Sequence, residues 1–170
     1  MNTLPDFFKK QIANIKLVLT DCDGVLTDTG VYYSEKGEEL KRFSIRDGMG
    51  VERLRTIAKL DVGFVTGESS GAVVGRAAKL NIKELHLGIK DKVACLTEIL
   101  NRLQLSWENI AYIGDDVNDL EVIKKCGFTA CPSDAMPEVR EEVHFVCVNR
   151  GGNGAFREFA EILIEWKSEI

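Results

Sequence analysis

An apolar, β-branched run beginning near Ile15 stops abruptly at Asp21-Cys22-Asp23-Gly24-Val25-Leu26-Thr27-Asp28. A short run that ends this way reads as a buried strand delivering carboxylates to its carboxyl end, the edge where open α/β sheets gather their chemistry. Side chains alternate across an extended strand, so Asp21 and Asp23 converge on one centre only if the chain bends after it, and Gly24 permits the bend. Two carboxylates so close repel each other unless a cation lies between them. Mg²⁺ suits hard oxygen ligands and is commonly shared with a substrate phosphate. A calcium loop fails by position: counted from Asp21, its fifth, sixth and twelfth places fall on Val25, Leu26 and Tyr32 where acid, glycine and glutamate are required. An Asp-x-Asp pair can also do no more than cap a turn, so the weight falls on the rest of the chain.

That rest alternates. A short amphipathic helix over residues 3–13 precedes the first strand, and a β-hairpin over 29–44, with Gly37 at its turn, follows it. Helical spacing over 51–58, 69–80, 90–103 and 117–125 is interleaved with apolar runs at 61–65, 84–87, 109–113 and 128–131. A short helix opened by Pro137, a strand over 144–148 and an amphipathic helix over 156–166 complete the chain. The pattern predicts parallel βαβ units with right-handed crossovers, a doubly wound parallel sheet forming one α/β domain over residues 1–170. An isolated hairpin is marginal in water, and the expected cover is an identical neighbour.

With 45% hydrophobic residues in 170, the chain has material for a real core. No run is long enough to span a membrane and no basic-then-apolar signal opens it, so a cytoplasmic location is expected. A net charge of −5 gives no broad attraction for nucleic acid. The five cysteines include no Cys-x-x-Cys pair and read as reduced, packed thiols; Cys22, although beside Asp21, lacks the phosphate-cradling loop that a cysteine nucleophile requires.

Three further stretches carry chemistry. Thr66-Gly67-Glu68-Ser69 follows a strand and opens a helix, offering a hydroxyl and free backbone N–H groups to a phosphate. The same segment, Gly67-x-Ser69-x-Gly71, matches a serine hydrolase nucleophile elbow with His144 downstream, but no matching oxyanion element appears and the aspartates would go unexplained. Lys90 and Lys92 stand where a helix begins, against its dipole, which suggests a cation with an anionic partner. Gly114-Asp115-Asp116-Val117-Asn118-Asp119 places three more carboxylates at a strand end, too much negative charge without a cation.

Together these segments resemble the four motifs of the haloacid dehalogenase superfamily, in order and across nearly the whole chain. The resemblance implies a phosphatase in which Asp21 is the nucleophile, Asp23 the general acid and base, and Lys92, the lysine that opens the helix in the context Asp-Lys, the cation on nucleophile and phosphate. It implies Mg²⁺ held by Asp21, the backbone carbonyl of Asp23 and Asp115, with Asp116 and Asp119 acting through water or orienting loops. Thr66 and Gly67 would bind the phosphoryl group.

No stretch is long enough for a cap domain. With Arg46-Asp47-Gly48 and the tail Arg150-Gly151-Gly152-Asn153-Gly154, the chain looks like the capless family that hydrolyses 3-deoxy-D-manno-octulosonate 8-phosphate (KDO 8-phosphate). That resemblance implies a homotetramer assembled through the hairpins, with a small sugar-acid phosphate as substrate. Arg76, then Arg46, is expected at the sugar carboxylate. Glu68 with Lys79 resembles the branch acting on 9-phosphates of nine-carbon, sialic acid-like acids, and a non-catalytic oligomerisation module is a third possibility.

Overall fold

The computed structural model describes residues 6–168. In chain order the elements are α1 (Asp6–Ala13), β1 (Leu17–Thr20), β2 (Thr27–Ser34), β3 (Gly37–Phe43), α2 (Ile45–Arg53), β4 (Asp61–Val65), α3 (Gly71–Lys79), β5 (Glu84–His86), α4 (Lys92–Leu103), β6 (Ile110–Ile113), α5 (Leu120–Ile123), β7 (Phe128–Cys131), α6 (Pro137–Glu142), β8 (Phe145–Val146) and α7 (Ala155–Ser168). Residues 3–5 of the first expected helix lie outside the described residues.

Six strands form one parallel sheet in the order β5-β4-β1-β6-β7-β8. β1, β6 and β7 are buried at every residue because both faces of the sheet are covered, as a parallel sheet demands. Alternation along β1 sends Val18 into the core beneath α1, α2, α3 and α7, with Phe64, Phe128, Phe156 and Phe159, while Leu17 and Leu19 join Leu96, Ile99, Tyr112 and Val122 on the other face. β1 sits between β4 and β6, so the strand order reverses there and their carboxyl ends open a crevice. This is the doubly wound α/β fold expected.

The hairpin β2–β3 forms a separate antiparallel sheet. Ser34 pairs with Gly37, so Glu35-Lys36 make a two-residue turn and Gly37, at φ +105°, begins the return strand. Tyr32, Tyr33 and Leu40 are 64%, 73% and 63% exposed.

The main departure from the periodicity lies at Arg46-Asp47-Gly48. These residues belong to α2, which starts at Ile45, capped by the Ser44 side chain, and continues through a π-helical turn to Ala58. Two glycines hide this first turn from any propensity argument, and close packing explains them: a Cβ on Gly50 would lie 3.1 Å from Arg157 Cα in α7, and one on Gly48 would meet the Arg76 guanidinium. The helix expected over 117–125 is a 3₁₀ turn over Val117–Asp119 followed by α5. Among the described residues no helix is long and apolar enough to cross a membrane.

Candidate active site

The buried strand ends of β1, β4 and β6 deliver Asp21, Thr66 and Asp115 to one crevice. After β1 the chain turns at once: Leu26 N–H and Thr27 N–H both donate to the Cys22 carbonyl, and Gly24 takes φ +82°. This turn brings Asp23 back beside Asp21. With Thr29, Gly67, Glu68, Asp116 and Asn118 they line a pocket of about 230 Å³.

Asp21 is 5% exposed; its Oδ1 accepts from Cys22 N–H at 2.6 Å and its Oδ2 lies 2.9 Å from Lys92 Nζ. Lys92, the first residue of α4, is buried and does not line the pocket but reaches Asp21 from beneath. Asp91 caps the helix by accepting from Ala94 N–H, which leaves the lysine free to turn inward. Burial pulls the Lys92 ammonium down, but Asp21 and Asp119 more than offset it and hold it above the ordinary lysine value.

Asp119 is fully buried and divides its oxygens. Oδ1 takes Lys92 Nζ at 2.6 Å and the Tyr112 hydroxyl at 2.6 Å; Oδ2 accepts from Asp115 N–H at 3.1 Å and Asp116 N–H at 3.4 Å. It therefore ties Lys92 and Tyr112 to the backbone of the loop after β6. Tyr112, inside an apolar strand, was not recognisable as part of this network. Asp116 caps the 3₁₀ turn and faces solvent.

The donor set fits a divalent cation. One carboxylate oxygen from each of Asp21, Asp115 and Asp119 lies within 4.8 Å of the others. Asp115 Oδ1 is buried with no hydrogen-bond partner among the described residues, an arrangement that costs free energy unless a cation completes it. A Cβ on Gly24 would run into Asp115 Oδ2, so glycine there leaves room for that carboxylate. Burial, then the Asp119 carboxylate, pushes Asp21 up to about 7, and burial, then Asp21, pushes Asp115 up to about 8, as expected for anions gathered to be neutralised by a metal. The Asp23 carboxylate does not join this group. It accepts from Lys41 Nζ at 2.7 Å and Thr27 Oγ1 at 3.3 Å. Lys41 had no signal in the sequence, since a lysine on a hairpin reads as solvated.

The expectation for the two arginines is not met within one chain. Arg76 donates to the Ser44 carbonyl at 2.7 Å and lies over the Phe43 ring, pinning the hairpin base to α3. Arg46 is exposed and borders a separate cavity of about 450 Å³ with Asn149, Asn153 and Arg157. Arg46 lies in the first turn of α2, whereas Arg76, on α3, is held at the hairpin base by its contacts with Ser44 and Phe43. Glu68 stands exposed at the pocket rim; Lys79, exposed at the end of α3, makes no ion pair with it among the described residues.

The serine hydrolase alternative fails on geometry. His144 Nδ1 is engaged by Thr129 Oγ1 at 2.7 Å and its ring stacks on Phe128, so it cannot serve Ser69. Burial, then the flanking aspartates, pushes the Cys22 thiol well up, and all five cysteines are buried and unpaired.

A family model described as haloacid dehalogenase-like hydrolase matches residues 78–158. The chain is 38% identical to the KDO 8-phosphate phosphatase of Yersinia pestis over 91% of its own length and 82% of that protein's. The cobalt-bound phosphatase of Haemophilus influenzae superposes with a TM-score of 0.89 at 36% identity, over 93% of this chain and 92% of that one. The Moraxella catarrhalis phosphatase, solved with magnesium, phosphate and KDO, gives 0.91 at 30% identity, over 96% and 94%.

Proposed function

Because the chain belongs to the KDO 8-phosphate phosphatase family of haloacid dehalogenase-like hydrolases, and is a phosphoric monoester hydrolase, we propose that it removes the terminal phosphate of a 3-deoxy-2-keto sugar acid of the KDO 8-phosphate type. The observation that carries the reading is Asp21, backed by Lys92, facing the same small pocket as Asp23, Thr66 and Asp115. An Asp21 oxygen attacks phosphorus as the bond to the sugar oxygen breaks, and Asp23 gives that oxygen a proton. Asp23 then takes a proton from the water that hydrolyses the aspartyl-phosphate, releasing phosphate and restoring Asp21. Thr66 and the N–H groups after it hold phosphoryl oxygens. Asp21, the Asp23 carbonyl and Asp115 would hold Mg²⁺, which would supply positive charge to offset the anionic phosphate and carboxylates. A purely structural module would need none of these groups.

Glu68 at the rim favours a second reading, a nine-carbon acid 9-phosphate, because a carboxylate there accepts hydrogen bonds from sugar hydroxyls. The test is phosphate release from KDO 8-phosphate and from a nonulosonate 9-phosphate, with Mg²⁺ or EDTA, beside Asp21→Asn. Metal-dependent release abolished in the variant is expected, and the better ester identifies the sugar. Release from neither ester overturns the sugar-acid reading. The substrate is a small molecule, and we propose that the enzyme works as a homotetramer.

A further inference from the structure

Lys41 belongs to none of the catalytic motifs, yet its side chain is 1% exposed and ends on Asp23: Nζ lies 2.7 Å from Asp23 Oδ2 and 3.4 Å from Glu38 Oε2. Glu38 in turn accepts a hydrogen bond from Ser70 Oγ, at the N-cap of α3. Connected polar contacts therefore run from the helix that follows Thr66, through the hairpin, to the second aspartate. Lysines normally keep the ammonium in water, and a two-stranded hairpin has no packing reason to bury one. The neighbouring Leu40 shows the opposite arrangement and is 63% exposed.

We propose that Lys41 is a positioning residue that fixes the rotation of the Asp23 carboxylate toward the leaving oxygen, with Glu38 and Ser70 fixing the ammonium. Asp23 sits on a turn, and its other side-chain anchor, Thr27 Oγ1, is 3.3 Å away, long for a hydrogen bond from a hydroxyl. Proton transfer requires a donor oxygen held at hydrogen-bond distance from the ester oxygen, so a carboxylate free to rotate loses efficiency. Lys41 gives up no proton; the proton that Asp23 donates goes to the ester oxygen as the P–O bond breaks. The inference rests on the reading of Asp23 as general acid.

The test compares kcat/KM for phenyl phosphate and 4-nitrophenyl phosphate, nearly isosteric esters whose leaving groups differ in their need for a proton. Because kcat/KM covers only steps through the first irreversible one, it isolates attack by Asp21. The ratio is taken within one variant, so any unfolded fraction cancels. In Lys41→Met the penalty on phenyl phosphate relative to the nitrophenyl ester is expected to grow by about tenfold, a part of what a general acid contributes. Lys41→Arg should recover most of it, and Asp23→Asn should show the same pattern more strongly. An unchanged ratio in Lys41→Met beside a shifted one in Asp23→Asn overturns the role of Lys41 alone. An unchanged ratio in both overturns the acid reading of Asp23 and the proposal with it.

Discussion

Lys92 Nζ stands 2.6 Å from Asp119 Oδ1, with both side chains sealed from solvent. The same ammonium touches Asp21, so the position of the proposed nucleophile depends on a carboxylate that follows β6, far along the chain from β1. Asp119 also holds the Asp115 and Asp116 N–H groups with its other oxygen.

Asp119→Asn tests that dependence. An amide has one acceptor oxygen, so it can serve either the lysine and tyrosine or the two backbone groups. The side left without an acceptor is buried, which costs about 1–3 kcal/mol. Thermal unfolding should show the loss, and kcat should fall about 10–100-fold, as is usual when a group that orients a metal ligand is removed. Full activity in this variant would mean that the loop after β6 orients itself.

Raised carboxylate values make stability depend on pH in a definite sense. The folded chain holds Asp21 near 7 and Asp115 near 8, against an ordinary 3.8, so folding favours their protonated forms. That contribution is complete below about pH 4 and is lost as pH rises through 7 and 8. Bound Mg²⁺ compensates the anions, so the difference in melting temperature between Mg²⁺ and EDTA should widen from pH 5 to pH 8. Asp115→Asn should flatten the difference. A gap that stays constant with pH would show that these two carboxylates do not meet the cation.

The strand ends carrying Asp21, Thr66 and Asp115 were legible because a parallel strand is an unbroken apolar run, and a polar residue that stops it marks the carboxyl edge. Lys92 needed the family resemblance to be separated from Lys90, since the inward turn depends on Asp91 taking over the cap. Other parts depend on tertiary contacts that leave no period in the sequence. Gly48 and Gly50 look like helix breakers, yet they let α2 approach Arg76 and α7 closely. Lys41 reads as a solvated strand residue until the turn after β1 brings Asp23 beneath it. Asp47 carries no periodic signal either, yet it accepts from Gly154 N–H at 3.2 Å and Arg157 N–H at 2.9 Å and so caps α7 from a distant helix.

The tail loop is expected to matter for activity through backbone contact. A Cβ on Gly151 would strike the Gly24 carbonyl, and one on Gly152 would crowd the Thr27–Asp28 peptide. Gly151→Ala must therefore push the turn that carries Asp23, at a cost of about 1–3 kcal/mol. A lower melting temperature with kcat reduced in the folded fraction is expected. Unchanged kcat would show that the turn holds its shape without the tail.

The pocket also bears on assembly. At about 230 Å³ it is smaller than the several hundred Å³ typical of sites that enclose a ligand, so a sugar acid seated on Asp21 projects beyond it. The hairpin beside it presents Tyr32, Tyr33 and Leu40 to solvent, an apolar patch on an element that is marginal alone. A second copy placed on the hairpin would bury the patch and extend the pocket walls in one step. Tyr33→Ser combined with Leu40→Ser leaves Asp21, Asp23 and Lys92 in place, so the chemistry on a small aryl phosphate should persist. Sedimentation velocity should show smaller species than the proposed tetramer, and kcat/KM for the sugar ester should fall by about tenfold or more as positioning is lost. A variant that remains tetrameric would move the interface off this patch, and one that dissociates with undiminished sugar-ester activity would show that each chain closes its own site.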